Sequence, residues 1–345
     1  MTVLTMPAQP AQGGTPRPVP WRRMAWVTWR QHRPTLISVP AVLGAVAVFL
    51  WIAGLKIHHD YAVLTACHPV TSTACRDLSS SFDSTDWTMG HTIDILLHPA
   101  PALIGAFAGA PVLARELETG TFRYAWTQGF GRERQTIAKL ALLAVAITAA
   151  AEALDQVFTW FFQPFLTQQG LNDLDATVFD THGIVFAAWT LAAFIIGAFG
   201  GMLIRRILPA MAATLGAYLG LDMLAWLFLR KHYAPALVTS NPSLLNGPSP
   251  SSAAWVLSTW YTGPGGKPAS MSVVNQINQQ FQNGAIAIRN ITPAQAFARH
   301  GITQWSSYIP VSRFWPMQLV EAGWLLALSV LLAAATVWLV RHRAA

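Results

Sequence analysis

Six long apolar stretches constrain this chain more than any other feature. They run over Leu36–Leu55, Ile93–Leu113, Ile137–Phe162, Gly183–Ile204, Ile207–Leu229 and Met317–Val340. A helix of about 20 apolar residues crosses a bilayer's hydrocarbon, and each stretch is long enough. Charged residues make up only 11% of the chain and hydrophobic ones 53%, whereas a soluble domain carries about 25% charged residues. The expected fold class is therefore an all-α polytopic membrane protein with six transmembrane helices. The second stretch contains Asp94, His98, Pro99, Pro101 and Pro111, so a broken or interfacial start is expected there.

Basic residues orient the helices. With the amino terminus inside, the cytoplasmic pieces hold Arg17, Arg22, Arg23, Arg30, Arg33, Arg115, Arg123, Arg132, Arg134, Lys139, Arg205, Arg206, Arg341 and Arg343. The opposite pieces hold eight of the 22 basic residues, six of them spread through one long segment. The bias places both termini in the cytoplasm, in a plasma-membrane protein that crosses the bilayer many times. The formal net charge of +7 forms no single patch, and nucleic acid is set aside as a partner.

The same reading divides the chain. Residues 1–20 are rich in Pro, Gln, Gly, Ala and Thr and are expected to form a disordered tail. Residues 21–340 form the six-span domain, and 341–345 a cytoplasmic tail. The Trp/Arg mixture of Trp21–Arg33 suits either an interfacial helix or a positive flank of the first span. A first extracellular loop covers 56–92. It contains Cys67 and Cys75, which are placed to close a small disulfide loop in an oxidising exterior. His58, His59, His68 and His91 share the loop, but their spacing matches no recognised metal-ligand pattern, and no metal site is assigned.

The enlarged extracellular segment between the fifth and sixth spans covers 230–316 and lacks Asp and Glu. An amphipathic helix is expected there, with Val273, Val274, Ile277 and Phe281 on one side, and a second helix with Pro293 in its first turn. Small residues at Gly105 and Gly109 in the second span, and at Gly197, Gly200 and Gly201 in the fourth, predict close helix approach.

The polar link 115–136 mixes Glu116, Glu118 and Glu133 with basic residues between two spans. It also carries Phe122, Tyr124, Trp126 and Phe130, whose exposure in a cytoplasmic loop points to a docking surface. Four acidic residues lie within spans: Glu152 and Asp155, three apart and so on one helix face, with Asp222 and Glu321. Such groups normally face a bundle interior or a wet cavity. Two readings stay open: an acidic outer vestibule on a translocation path for a cationic or amphipathic solute, or pairing with Arg230, Arg313 or interfacial Trp that holds helices together.

No nucleotide-binding pattern G-x-x-x-x-G-K-S/T is present. Gly263-Pro264-Gly265-Gly266-Lys267-Pro268 has the wrong spacing, and no G-x-S-x-G, H-E-x-x-H or C-x-x-C occurs. The chain is not expected to be an enzyme or to bind a cofactor.

Glu116, Glu118, Gly120-Thr121, Thr127, Gly129, Arg132 and Lys139 resemble the cytoplasmic connection in membrane subunits of type-2 ATP-binding-cassette exporters. Tyr308, Pro310, Arg313-Phe314-Trp315, Gln318 and Glu321 look like the entry to the last span in actinobacterial members. The resemblance implies a permease dimer, of two copies or of paralogues, powered by a separate cytoplasmic P-loop ATPase that binds ATP and Mg. It also implies a coupling role toward that ATPase for Glu116, Glu118, Phe122, Arg123, Tyr124, Trp126, Arg132 and Arg134. The cargo would be a hydrophobic or amphipathic compound such as an antibiotic, drug or lipid. The alternative is a membrane sensor or immunity module that binds an extracellular ligand and signals through the cytoplasmic loop.

Overall fold

The computed structural model describes residues 21–69, 72–120, 132–175, 178–240, 254–282 and 293–343. Six helical columns are long and apolar enough to span a membrane: Arg33–Ala66, Thr73–Glu118, Glu133–Gln169, Val185–Ile204, Ile207–His232 and Val311–His342. With no water to bond the backbone inside hydrocarbon, each crossing segment satisfies its amides internally as a helix.

Helix α1 (Trp21–Ala66) is continuous through Pro34 and Pro40. The Trp/Arg flank is thus the first part of the spanning helix rather than a separate interfacial one. Arg30 lies over the Trp26 ring, 5.3 Å from its centroid. The expected loop over 56–92 is mostly helical: α1 runs to Ala66, and the second column begins at Thr73. That column comprises α2 (Thr73–Ser81), α3 (Trp87–Leu97), α4 (Ala100–Ile104) and α5 (Ala110–Glu118). Two π-type turns interrupt it, at Phe82–Asp86 and Gly105–Gly109, and α3 gives way to α4 at His98-Pro99. Proline removes a helical donor there, as the sequence led us to expect. Cys67 and Cys75 are joined across the link between columns, with Cα atoms 5.7 Å apart. The Ser72 side chain accepts the Cys75 backbone N–H and caps α2.

The third column is α6 (Arg132–Gln169), and the fourth and fifth are α7 (Val185–Ile204) and α8 (Ile207–Leu224). Between them the chain reverses in two residues, with Arg205 in the left-handed region at φ 59° and Arg206 extended. Helix α7 is the centre of the bundle and packs on the second column, α6, α8 and the last helix. The contact with the second column is backbone on backbone. A Cβ on Gly197 would lie 2.3 Å from the Gly105 carbonyl oxygen, and one on Gly109 2.4 Å from that of Phe194. Hydrogen in place of a side chain at Gly105, Gly109, Gly197 and Gly201 is what permits the approach. Large apolar side chains on α1 and α8, such as Val42, Ile52, Leu208 and Leu219, point away from the bundle, as lipid-facing side chains do.

The all-helical expectation needs one correction, because the 230–316 segment contains a sheet. Strands β1 (Leu237–Thr239), β2 (Ala254–Thr262) and β3 (Thr303–Pro310) form an antiparallel sheet in the order β1-β3-β2. The β-branched and aromatic content of β2, and the aromatics Trp305 and Tyr308 with Ile309 in β3, suit partly buried strands. The two expected helices are present as α9 (Met271–Gln282) and α10 (Pro293–Arg299). Val274, Ile277, Ala296 and Phe297 pack with Ile302 and Tyr261 to hold them against the sheet. Ile309 and Trp255 join Val185, Trp189 and Phe314 in a second cluster that seats the sheet on the bundle. The last column is α11 (Phe314–Arg343).

The glycine contact yields a test by thermal unfolding in detergent. Gly197→Ala should lower stability by about 1–3 kcal/mol through overpacking. Gly44→Ala in α1, whose Cβ meets nothing within 4 Å, should be neutral or raise stability by up to about 1 kcal/mol through helix propensity.

Candidate functional sites at the two ends of the bundle

At one end, α5 and α6 flank the polar link. Lys139 is buried and donates to Glu116, tying the two helices together just before the link leaves them. Glu118 accepts the backbone N–H of Ile207 at 2.9 Å, which satisfies an unpaired donor at the start of α8 and places negative charge at its positive end. Arg341 at the end of α11 pairs with Glu133 through Nε at 3.3 Å. Glu116 and Glu118 are therefore engaged within the chain, while Arg134 is exposed. Phe122, Arg123, Tyr124 and Trp126 lie outside the described residues, and so does the Arg132 side chain.

At the other end, the bundle closes around a buried cation. Arg230 directs Nε and Nη2 to the two Glu321 oxygens at 3.0 and 2.8 Å. Nη1 donates to Asp180 at 2.9 Å, and Nη2 also reaches that carboxylate. Trp189 adds an indole N–H to Glu321 at 2.8 Å, and the guanidinium lies 4.8 Å from the Phe179 ring centroid. One turn before Glu321, Gln318 Nε2 donates to the carbonyls of Phe179 and His182 at 3.0 and 2.9 Å. Its Oε1 accepts the Val185 N–H at 3.0 Å. Spacing of three on α11 thus puts Gln318 and Glu321 on one face, where they clasp the 178–185 connector and the end of the fifth column. Thr181 donates to Asp94 at 2.9 Å, fixing the same connector to α3.

The four intramembrane acids are placed differently. Glu321 is fully buried and occupied by Arg230 and Trp189. Asp222 is half-buried within electrostatic reach of Asp180, Arg230 and Glu321. Glu152 accepts Gln156 Nε2 at 2.8 Å and borders a groove between α6, α7 and α11. Asp155 is buried beside the Gly183 backbone but makes no hydrogen bond of ordinary geometry. Sequence reading singled out Glu321 but not Asp180 or Trp189. The available signal was three aspartates in a connector with no basic residue, facing a later segment with no acid.

Membership is settled by comparison with known families. A match to the family described as ABC-2 membrane transporter related covers residues 40–230. The chain belongs to that family. It is a multi-pass membrane component of the ABC transporter type, with the transport role of a permease rather than a catalytic one. Searches of curated proteins and of solved structures returned no match.

Two measurements probe the closed end. Arg230→Met strands two carboxylates in apolar surroundings and should cost about 3–5 kcal/mol in unfolding experiments. Asp60→Asn, at an ion pair with Lys56 whose two side chains are 35% and 63% exposed, should cost no more than about 1 kcal/mol.

The second concerns pH. His182 lies between spans, with its ring edge-on to Phe158 and Phe162. Burial lowers its pKa from 6.5 to about 4. Between those values the unfolded chain holds more protons, so stability rises with pH and is lost on acidification across that window. The loss should reach up to about 3 kcal/mol, and His182→Gln should flatten this part of the stability profile.

Proposed function

We propose that this chain is the transmembrane permease subunit of an ATP-driven exporter that moves a hydrophobic or amphipathic compound out of the cell. Family membership supports the transporter role. The observation that carries the coupling assignment is the anchoring of the polar link at both ends. The Glu116–Lys139 pair joins α5 to α6, and Glu118 joins α5 to α8. A force applied to residues 119–131 therefore acts on three helices together instead of being lost in a slack loop. A cytoplasmic P-loop ATPase, holding ATP and Mg²⁺, is the partner that applies it, with Phe122, Arg123, Tyr124, Trp126, Arg132 and Arg134 as docking groups.

A second permease copy or paralogue completes the assembly. The face of α8 around Gly216 and Gly220, which has open space beside both glycines, suits close packing against another helix. Both termini face the cytoplasm in this reading, and the sheet-bearing 230–316 segment lies outside the plasma membrane. Family membership weighs against the sensor alternative. Within the translocation path, Glu152 borders the groove between α6, α7 and α11, whereas Glu321 is held by Arg230.

Changing Tyr124 to Ala or Arg123 to Glu should leave the permease folded. Each change should reduce ATPase co-purification and transport at least about tenfold, as loss of an interface hot spot does. Pull-down with mass spectrometry and a transport-coupled ATPase assay read this. Unchanged coupling in both variants overturns the assignment.

A further inference from the structure

Helices α6 and α11 both lean on α7, and between them runs a groove whose lower part encloses about 590 Å³. Its walls are Ile137, Leu140, Ala141, Val330, Ala334 and Val337, with Glu133, Trp338 and Arg341 at its mouth. It meets a second hollow of about 580 Å³ at Ala144, Leu191 and Leu326, and Glu152 borders that upper half. Alanines on α6 and α11 keep the groove open where leucines would fill it.

We propose that the lower half binds one acyl chain of an anionic phospholipid, with the phosphate held by Arg341. Three observations specify this occupant. The wall is apolar and lies among side chains that the bundle leaves exposed, including Leu331 and Val145, so in a membrane lipid is its surroundings. From Glu133 to Ala144 the groove extends about 16 Å along α6, close to the roughly 15 Å depth of one leaflet's hydrocarbon.

Charge supplies the third. Arg341 engages Glu133 only through Nε among the described residues. That leaves the two terminal amino groups of its fork for a phosphate, which guanidinium binds in bidentate fashion. Arg134 is exposed in the adjoining first turn of α6. The ion pair itself is two-thirds exposed on the arginine side, and such pairs are weak enough for an anion to displace. The upper half ends at a carboxylate, so an anionic headgroup is favoured at one end of the groove alone. Trp338 beside the mouth is suited to the interface. This site needs only membrane embedding and stands apart from the direction or cargo of transport.

The test is native mass spectrometry of the full-length chain in mild detergent, titrated with phosphatidylglycerol or phosphatidylcholine of identical acyl chains. The wild type should retain phosphatidylglycerol about fivefold better, the preference that one basic group at a membrane surface confers. Ala334→Trp, which fills the groove from an exposed position, should cut retention of both lipids about tenfold or more by denying chain burial. Arg341→Gln should erase the preference while keeping chain binding. Val42→Trp, on the lipid-facing side of α1, should behave as wild type, and size-exclusion profiles confirm that each variant is folded. Equal retention by Ala334→Trp and wild type overturns the site. A preference that survives Arg341→Gln overturns the assignment of the headgroup.

Discussion

A guanidinium buried between helices in an apolar bundle must find its counter-charge within the chain, because neither water nor lipid tails supply it. Arg230 meets that demand with Glu321 from α11 and Asp180 from the connector before α7. Three separately folded pieces are thereby fixed to one atom group. Much else follows from their position: Trp189 turns its indole to Glu321, Gln318 receives the start of α7, and Phe179 lies beneath the guanidinium. The sheet then has a defined platform, since Ile309 and Trp255 pack on the same cluster of residues.

The opposite end uses charge to join helix ends: Lys139 with Glu116, Glu118 with the start of α8, and Arg341 with Glu133. Between the two ends, α7 lies backbone to backbone against the second column through Gly105, Gly109, Gly197 and Gly201. Contacts of this kind have no side chains to yield, so α7 and the second column are held close along this seam.

The membrane columns were readable because lipid imposes one rule everywhere: a crossing segment must be apolar and helical. All six apolar stretches appear as helical columns, and Gly105, Gly109, Gly197 and Gly201 mark close backbone approach, whereas Gly200, whose Cβ would lie 3.8 Å from Thr214 Oγ1, does not. The sheet was not readable, since β1 has only three residues and β1 and β3 lie more than sixty residues apart (Leu237 pairs with Tyr308). The continuity of α1 through its prolines was equally hidden, because a proline marks a break unless neighbouring packing supports the helix.

The candidate sites divide along the same line. Residue types and spacing alone showed a charged, aromatic link between spans and acids inside the membrane, with Glu152 and Asp155 on one helix face. Such features depend only on local pattern and on the helical repeat. Which acid is locked, which borders a groove and which lies buried were decided by tertiary structure. Arg230, Asp180 and Glu321 are separated by up to 141 positions in sequence, and Coulomb attraction acts through space, so their meeting was settled only when the helices packed.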